Sequence, residues 1–119
     1  MNIRHPDNRA RSAAAVAFAA LLTLAPAAFA DEPPTFRLLA KDGRFFPETI
    51  EVPAGKRFRI EIRNEGPGPE EFESLELRKE TVLAEGVTRT LVFAPMKPGT
   101  YKFFGEFHMD TAKGRIVAK

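Results

Sequence analysis

The run Arg57-Phe58-Arg59-Ile60-Glu61-Ile62-Arg63 alternates charged and apolar residues without a break over its whole length. Successive side chains of an extended chain point to opposite faces, so Phe58, Ile60 and Ile62 share one face only if the run is a β-strand against a core. Wound as a helix, the same three residues would be spread around the cylinder. Thr49-Ile50-Glu51-Val52 alternates as well, and Pro53-Ala54-Gly55-Lys56 supplies a turn between the two runs, so they are expected as a strand pair. Further strands are predicted at 36–40, 75–83, 88–93, 99–105 and 114–118, with turn signals at Glu85-Gly86 and Pro95-Met96-Lys97-Pro98-Gly99. About seven short strands with regularly spaced breaks predict an all-β sandwich. Its core would draw on Phe36, Phe45, Phe58, Ile60, Ile62, Phe72, Leu77, Leu91, Phe93, Tyr101, Phe103 and Ile116.

With 119 residues there is room for one such domain. The chain has no cysteine, which removes disulfides, thiolate metal sites, thiol nucleophiles and any copper–thiolate centre. Chemistry is left to oxygen and imidazole. Residues 1–30 begin with Arg4, Arg9 and Arg11, continue through an apolar run over 13–24 and end in Ala28-Phe29-Ala30. This order of charged, apolar and small residues predicts a secretory signal peptide cleaved after Ala30, and hence a periplasmic protein. Residues 31–34, Asp31-Glu32-Pro33-Pro34, read as a tether, and 35–119 as the folded domain.

The formal charge of +2 is located in that leader. Without Arg4, Arg9, Arg11 and Asp7, the totals of 18 basic and 16 acidic residues fall to 15 of each sign. A neutral domain lacks the electrostatic footprint of a nucleic-acid binder. Cleavage also removes His5, leaving His108 as the single histidine. Arg57, Arg59 and Arg63 share a strand face with Glu61, the pattern of a solvated outer sheet surface. Two segments depart from a plain sandwich and are expected as loops. One spans 64–74 and carries Glu70, Glu71 and Glu73; the other spans 105–114 and carries Glu106, His108, Met109 and Asp110.

The order Phe46-Pro47-x-x-Ile50-x-Val52-x-x-Gly55, a strand ending in Asn64, a loop, and Pro98-Gly99-x-Tyr101-x-Phe103 leading into a segment closed by Gly114 resembles the cupredoxin family over the whole of 35–119. The resemblance implies a Greek-key β-sandwich. In that alignment Gly105 stands where a blue-copper protein has its cysteine, and His108 keeps the position of the second histidine. The first histidine falls at Glu70 or Glu71, which the alignment does not separate, and the axial methionine position falls near Ala112 or Lys113. One ligand of four survives. The motifs Glu70-Glu71-Phe72-Glu73-Ser74 and Gly105-Glu106-Phe107-His108-x-Asp110-Thr111-Ala112-x-Gly114 resemble cysteine-less cupredoxin-like proteins and domains encoded with bacterial ferrous-iron permeases, in which carboxylates replace the blue-copper set.

If the two segments converge at one end of the sandwich, Glu70, Glu71 or Glu73 approaches Glu106 and His108. Oxygen and imidazole donors suit Fe(II), Fe(III), Cu(II) or Mn(II), and Cu(II) leads the affinity order. The expected ligands of a mononuclear copper or iron site are Glu71 and His108 first, then Glu106 and Glu73, with Glu70 as an alternative and Met109 and Asp110 as weak contributors. Glu106 has a second possible role, orienting the imidazole of His108. The expected function is periplasmic metal binding in iron uptake, with an inner-membrane permease or another uptake component as partner, in a monomer or homodimer. The alternatives are a periplasmic copper carrier and a metal-free structural module. No nucleophile–base pair marks a hydrolase, and catalysis is limited to assisting metal oxidation.

Overall fold

In the computed structural model, residues 2–3, 15–17, 19–20 and 32–119 are described. The expected signal peptide, with its cleavage point and His5, lies outside the described residues apart from those short pieces. Among the described residues nine strands form two sheets: β1 (Thr35–Lys41), β2 (Arg44–Phe46), β3 (Thr49–Val52), β4 (Phe58–Asn64), β5 (Glu70–Ser74), β6 (Lys79–Leu83), β7 (Thr88–Phe93), β8 (Gly99–Phe104) and β9 (Lys113–Ala118). One sheet has the order β2-β1-β4-β7 and the other β3-β9-β8-β5-β6. The all-β sandwich is as expected, with nine strands where about seven were predicted.

β4 is the strand with the unbroken alternation, and it lies between β1, parallel to it, and β7, antiparallel to it. Phe58, Ile60 and Ile62 are fully buried. On the opposite face Glu61 lies 3.8 Å from Arg37, and Arg63 donates to Gly86 O and Thr88 Oγ1, which makes this a solvated sheet surface. The expected pairing of 49–52 with 57–63 is corrected. β3 pairs in parallel with β9 in the other sheet, so Pro53-Ala54-Gly55-Lys56 crosses between the layers instead of closing a hairpin. The crossing is tied at Ala54 N–H to Lys119 O and at Gly55 N–H to Met96 O.

Two strands were not foreseen. β2 folds back on β1 through Asp42-Gly43, with Lys41 opposite Arg44 and both turn residues at positive φ. That is the backbone a tight two-residue hairpin demands, and Asp-Gly is its common sequence sign. β5 replaces the second half of the expected loop over 64–74. The expected strand over 75–83 is only its second half, β6, because residues 75–78 form the turn that brings β6 back antiparallel to β5.

The core is a chain of phenylalanine rings spanning both sheets. Phe58 and Phe93 stack at 4.8 Å within one sheet, Phe72 and Phe103 lie 4.9 Å apart in the other, and Phe45 meets Phe103 edge-on at 5.2 Å across the gap. Such offset and edge-to-face contacts add to the burial of large apolar rings. Asn64 ends β4 with a buried amide. Its Nδ2 donates to Gly68 O at 2.9 Å and Leu83 O at 3.0 Å, and its Oδ1 accepts from Gly66 N–H at 2.8 Å. One side chain thereby sets the course of the Gly/Pro segment that delivers the chain into β5.

Candidate metal centre

β5 sits between β6 and β8, with Glu71 opposite Val82 and Glu73 opposite both Glu80 and Phe104. Because alternate residues of a strand face opposite ways, Phe72 enters the core while Glu71 and Glu73 share the other face. Gly105 follows β8, and the chain then makes a 3₁₀ turn over Glu106–His108. One carboxylate oxygen from each of Glu71, Glu73 and Glu106 lies within 4.8 Å of the other two. Glu106 is exposed, Glu73 half-buried and Glu71 only 2 % exposed.

Glu71 Oε1 is buried with no hydrogen-bond partner among the described residues. A buried carboxylate oxygen without a donor is costly as an anion. Burial is the largest cause pushing the Glu71 carboxyl from its ordinary 4.5 up to about 8, and the neighbouring Glu73 and Glu106 carboxylates push the same way. At neutral pH the group therefore holds its proton.

Glu70 points away from this cluster. Its Oε1 accepts from Glu71 N–H at 3.0 Å, and its Oε2 lies 2.6 Å from His108 Nδ1. The carboxylate is almost wholly buried, whereas the imidazole is 42 % exposed. Gly105 makes this possible, because a Cβ there would run into Glu70 Oε1 and stand 2.8 Å from Glu71 O. Gly43 does the same on the other side of the ring, where a Cβ would fall 2.8 Å from His108 Cδ2.

The structure thus brings together Glu71, Glu73 and Glu106 and pairs His108 with Glu70. Glu71 and His108, expected as the leading pair, belong to different groups. The carboxylate that orients the imidazole is Glu70 rather than Glu106, and Met109, at the end of the 3₁₀ turn, is 57 % exposed. Asp110 is exposed in the turn that follows. Sequence reasoning passed over Gly43, though its Asp-Gly turn was a legible sign. A cluster of carboxylates suits a hard cation, and one buried oxygen without a donor suits a positive charge better than water. The donor set does not fit a blue-copper centre, which requires a thiolate.

Residues 14–118 match the family model described as Cupredoxin-like domain. An uncharacterized protein of Rickettsia prowazekii (strain Madrid E) is 40 % identical over 81 residues, covering 68 % of this chain and 65 % of the relative. The match thus spans just under two thirds of that relative's length. Among solved structures, the reduced auracyanin of the photosynthetic bacterium Roseiflexus castenholzii superposes with a TM-score of 0.61 at 15 % identity, over 74 % of this chain and 98 % of the auracyanin. The metal-binding domain of a Cu(I)-exporting P-type ATPase of Streptococcus pneumoniae D39, solved with Cu(I), gives 0.61 at 18 % identity, over 71 % and 84 %.

Proposed function

Since this chain belongs to the cupredoxin-like domain family, whose fold supports metal binding or electron transfer, we propose that it is an exported, periplasmic cation-binding protein of an iron-uptake system. Its site takes a single iron or Cu(II) ion through Glu71, Glu73 and Glu106. The observation that carries the reading is a buried carboxyl, Glu71, that has one oxygen without a donor and is gathered with two further carboxyl groups. Three carboxyl groups gathered this closely repel one another when ionised, which helps to keep the proton on Glu71. A cation removes that repulsion and fills the vacant partnership of Glu71 in one step.

Anionic oxygens favour Fe(III) over Fe(II), so of the two oxidation states the site suits Fe(III) better. Glu71 yields its proton as the ion enters, and Glu73 and Glu106, nearer solvent, meet the ion first. The iron-uptake role and a permease partner are supported by the likeness of Glu70-Glu71-Phe72-Glu73-Ser74 and 105–114 to domains encoded with ferrous-iron permeases. Export to the periplasm is supported by the leader pattern of residues 1–30. A periplasmic copper carrier is the second reading, favoured by the position of Cu(II) at the head of the affinity order for oxygen and nitrogen donors.

The test is calorimetric titration of the metal-free protein with anaerobic Fe(II), Fe(III) supplied as a weak chelate, and Cu(II), beside Glu71→Gln. Binding by the wild type that weakens at least tenfold in the variant supports the site, and the preferred ion separates the iron from the copper role. Equal affinity in both proteins would refute it.

A further inference from the structure

Resting on the metal-site reading above, we propose that Glu70 and His108 are positioning residues: their hydrogen bond clamps the 3₁₀ turn onto β5 and so holds Glu106 over Glu71 and Glu73. Neither side chain contacts the cation. Glu70 is the residue next to Glu71 on β5, and His108 lies two residues beyond Glu106 in the turn. One hydrogen bond therefore joins the two segments that supply the ligands.

Both oxygens of Glu70 are already engaged, Oε1 by Glu71 N–H and Oε2 by His108 Nδ1 at 2.6 Å. A carboxylate oxygen accepts, so Nδ1 carries the proton and has no lone pair for a metal. The ring is fixed from its other side by the bare Cα of Gly43, whose carbonyl oxygen also accepts from Thr111 Oγ1 at 2.6 Å. The His108 carbonyl accepts from Thr111 N–H and Ala112 N–H, and His108 N–H donates to Gly105 O. His108 thus ties the turn twice, through its ring to Glu70 and through its backbone to Gly105, Thr111 and Ala112. By contrast, Glu106 is exposed, and its side-chain tie within the cluster is to Glu71, itself one of the proposed ligands. Its placement depends on the turn that carries it.

Asparagine separates a clamp from a ligand. Its amide N–H can reproduce the donation of Nδ1 to Glu70, yet it has nothing to stand for a ligating Nε2. We expect cation affinity, read with Cu(II) and with Fe(III) supplied as a weak chelate, to fall at least tenfold in His108→Ala and to return to within about threefold of wild type in His108→Asn. In the metal-free protein, amide hydrogen exchange over 106–109 should rise in His108→Ala and stay near wild type in His108→Asn, while β4 and β7 are unchanged in both. An Asn variant as weak as the Ala variant, or imidazole-nitrogen coupling in the electron paramagnetic resonance spectrum of bound Cu(II), would overturn the proposal. Unchanged exchange in His108→Ala would do the same without any metal. If the wild type binds no cation, the metal-site reading fails on its own, and the exchange comparison still decides whether the pair holds the turn.

Discussion

Glu71 makes the stability of the metal-free protein fall as pH rises, and the size of the fall follows from its environment. The carboxyl titrates near 4.5 when free and at about 8 in the folded chain. Below pH 4.5 both states are protonated, and the stabilising contribution of the buried neutral acid is fully present. Between 4.5 and 8 the unfolded chain has given up a proton that the folded state still holds, so stability declines by about 1.4 kcal/mol per pH unit. Above 8 the decline levels off. Integrated from pH 5 to pH 8, the loss is on the order of 3–4 kcal/mol, a large part of the roughly 5–15 kcal/mol that holds a small domain together. Glu71→Gln keeps the shape and the neutral state at every pH, and its amide can donate to Glu73 and Glu106. Urea unfolding followed by circular dichroism at pH 5, 6, 7 and 8 should show the wild type losing ground to the variant by that amount. Ionisable groups remote from Glu71 are common to both proteins and cancel in the difference. A difference that stays constant from pH 5 to pH 8 would refute the account of Glu71 as a buried acid.

Asn64→Ala removes a buried amide that satisfies Gly68 O, Leu83 O and Gly66 N–H. It should cost about 2–4 kcal/mol and raise hydrogen exchange over 65–69, measured by urea unfolding and exchange together; a cost under about 0.5 kcal/mol contradicts the role given to this side chain. Gly105→Ala forces a methyl group into the Glu70 carboxylate and the Glu71 carbonyl. A destabilisation of about 1–3 kcal/mol is expected, accompanied by loosening of His108 in its nuclear magnetic resonance spectrum, and a variant as stable as wild type would show that the space is not closed.

Much of the fold was legible because it is written in period two. β4 announces itself in Phe58, Ile60 and Ile62, and all three are buried. Topology was less legible: 49–52 and 57–63 look like a hairpin, but nothing local states that the turn between them passes from one sheet to the other. β5 was hidden because Glu70, Glu71 and Glu73 follow a Gly/Pro run and read as part of a loop, whereas the pairing with β6 and β8 that makes them a strand is long-range. The membership of the candidate site was half legible. Five of the expected residues, Glu70, Glu71, Glu73, Glu106 and His108, come together from the two segments, but their division into a carboxylate cluster and a Glu70–His108 pair depends on which side of β5 each glutamate faces. The Asp42-Gly43 hairpin that backs the imidazole was in plain view in the sequence.

The alternation of β5 ties the length of the connection before it to the chemistry after it. Substituting a residue in the Gly/Pro segment changes a local bend, but inserting or deleting one residue between Asn64 and Glu70 turns the strand over. Phe72 would then leave the core for water, and Glu71 and Glu73 would be turned toward the phenylalanine rings. Spacing between Asn64 and Phe72 is therefore a stricter requirement than composition, and descendants of this chain can vary the letters of that connection far more freely than their number.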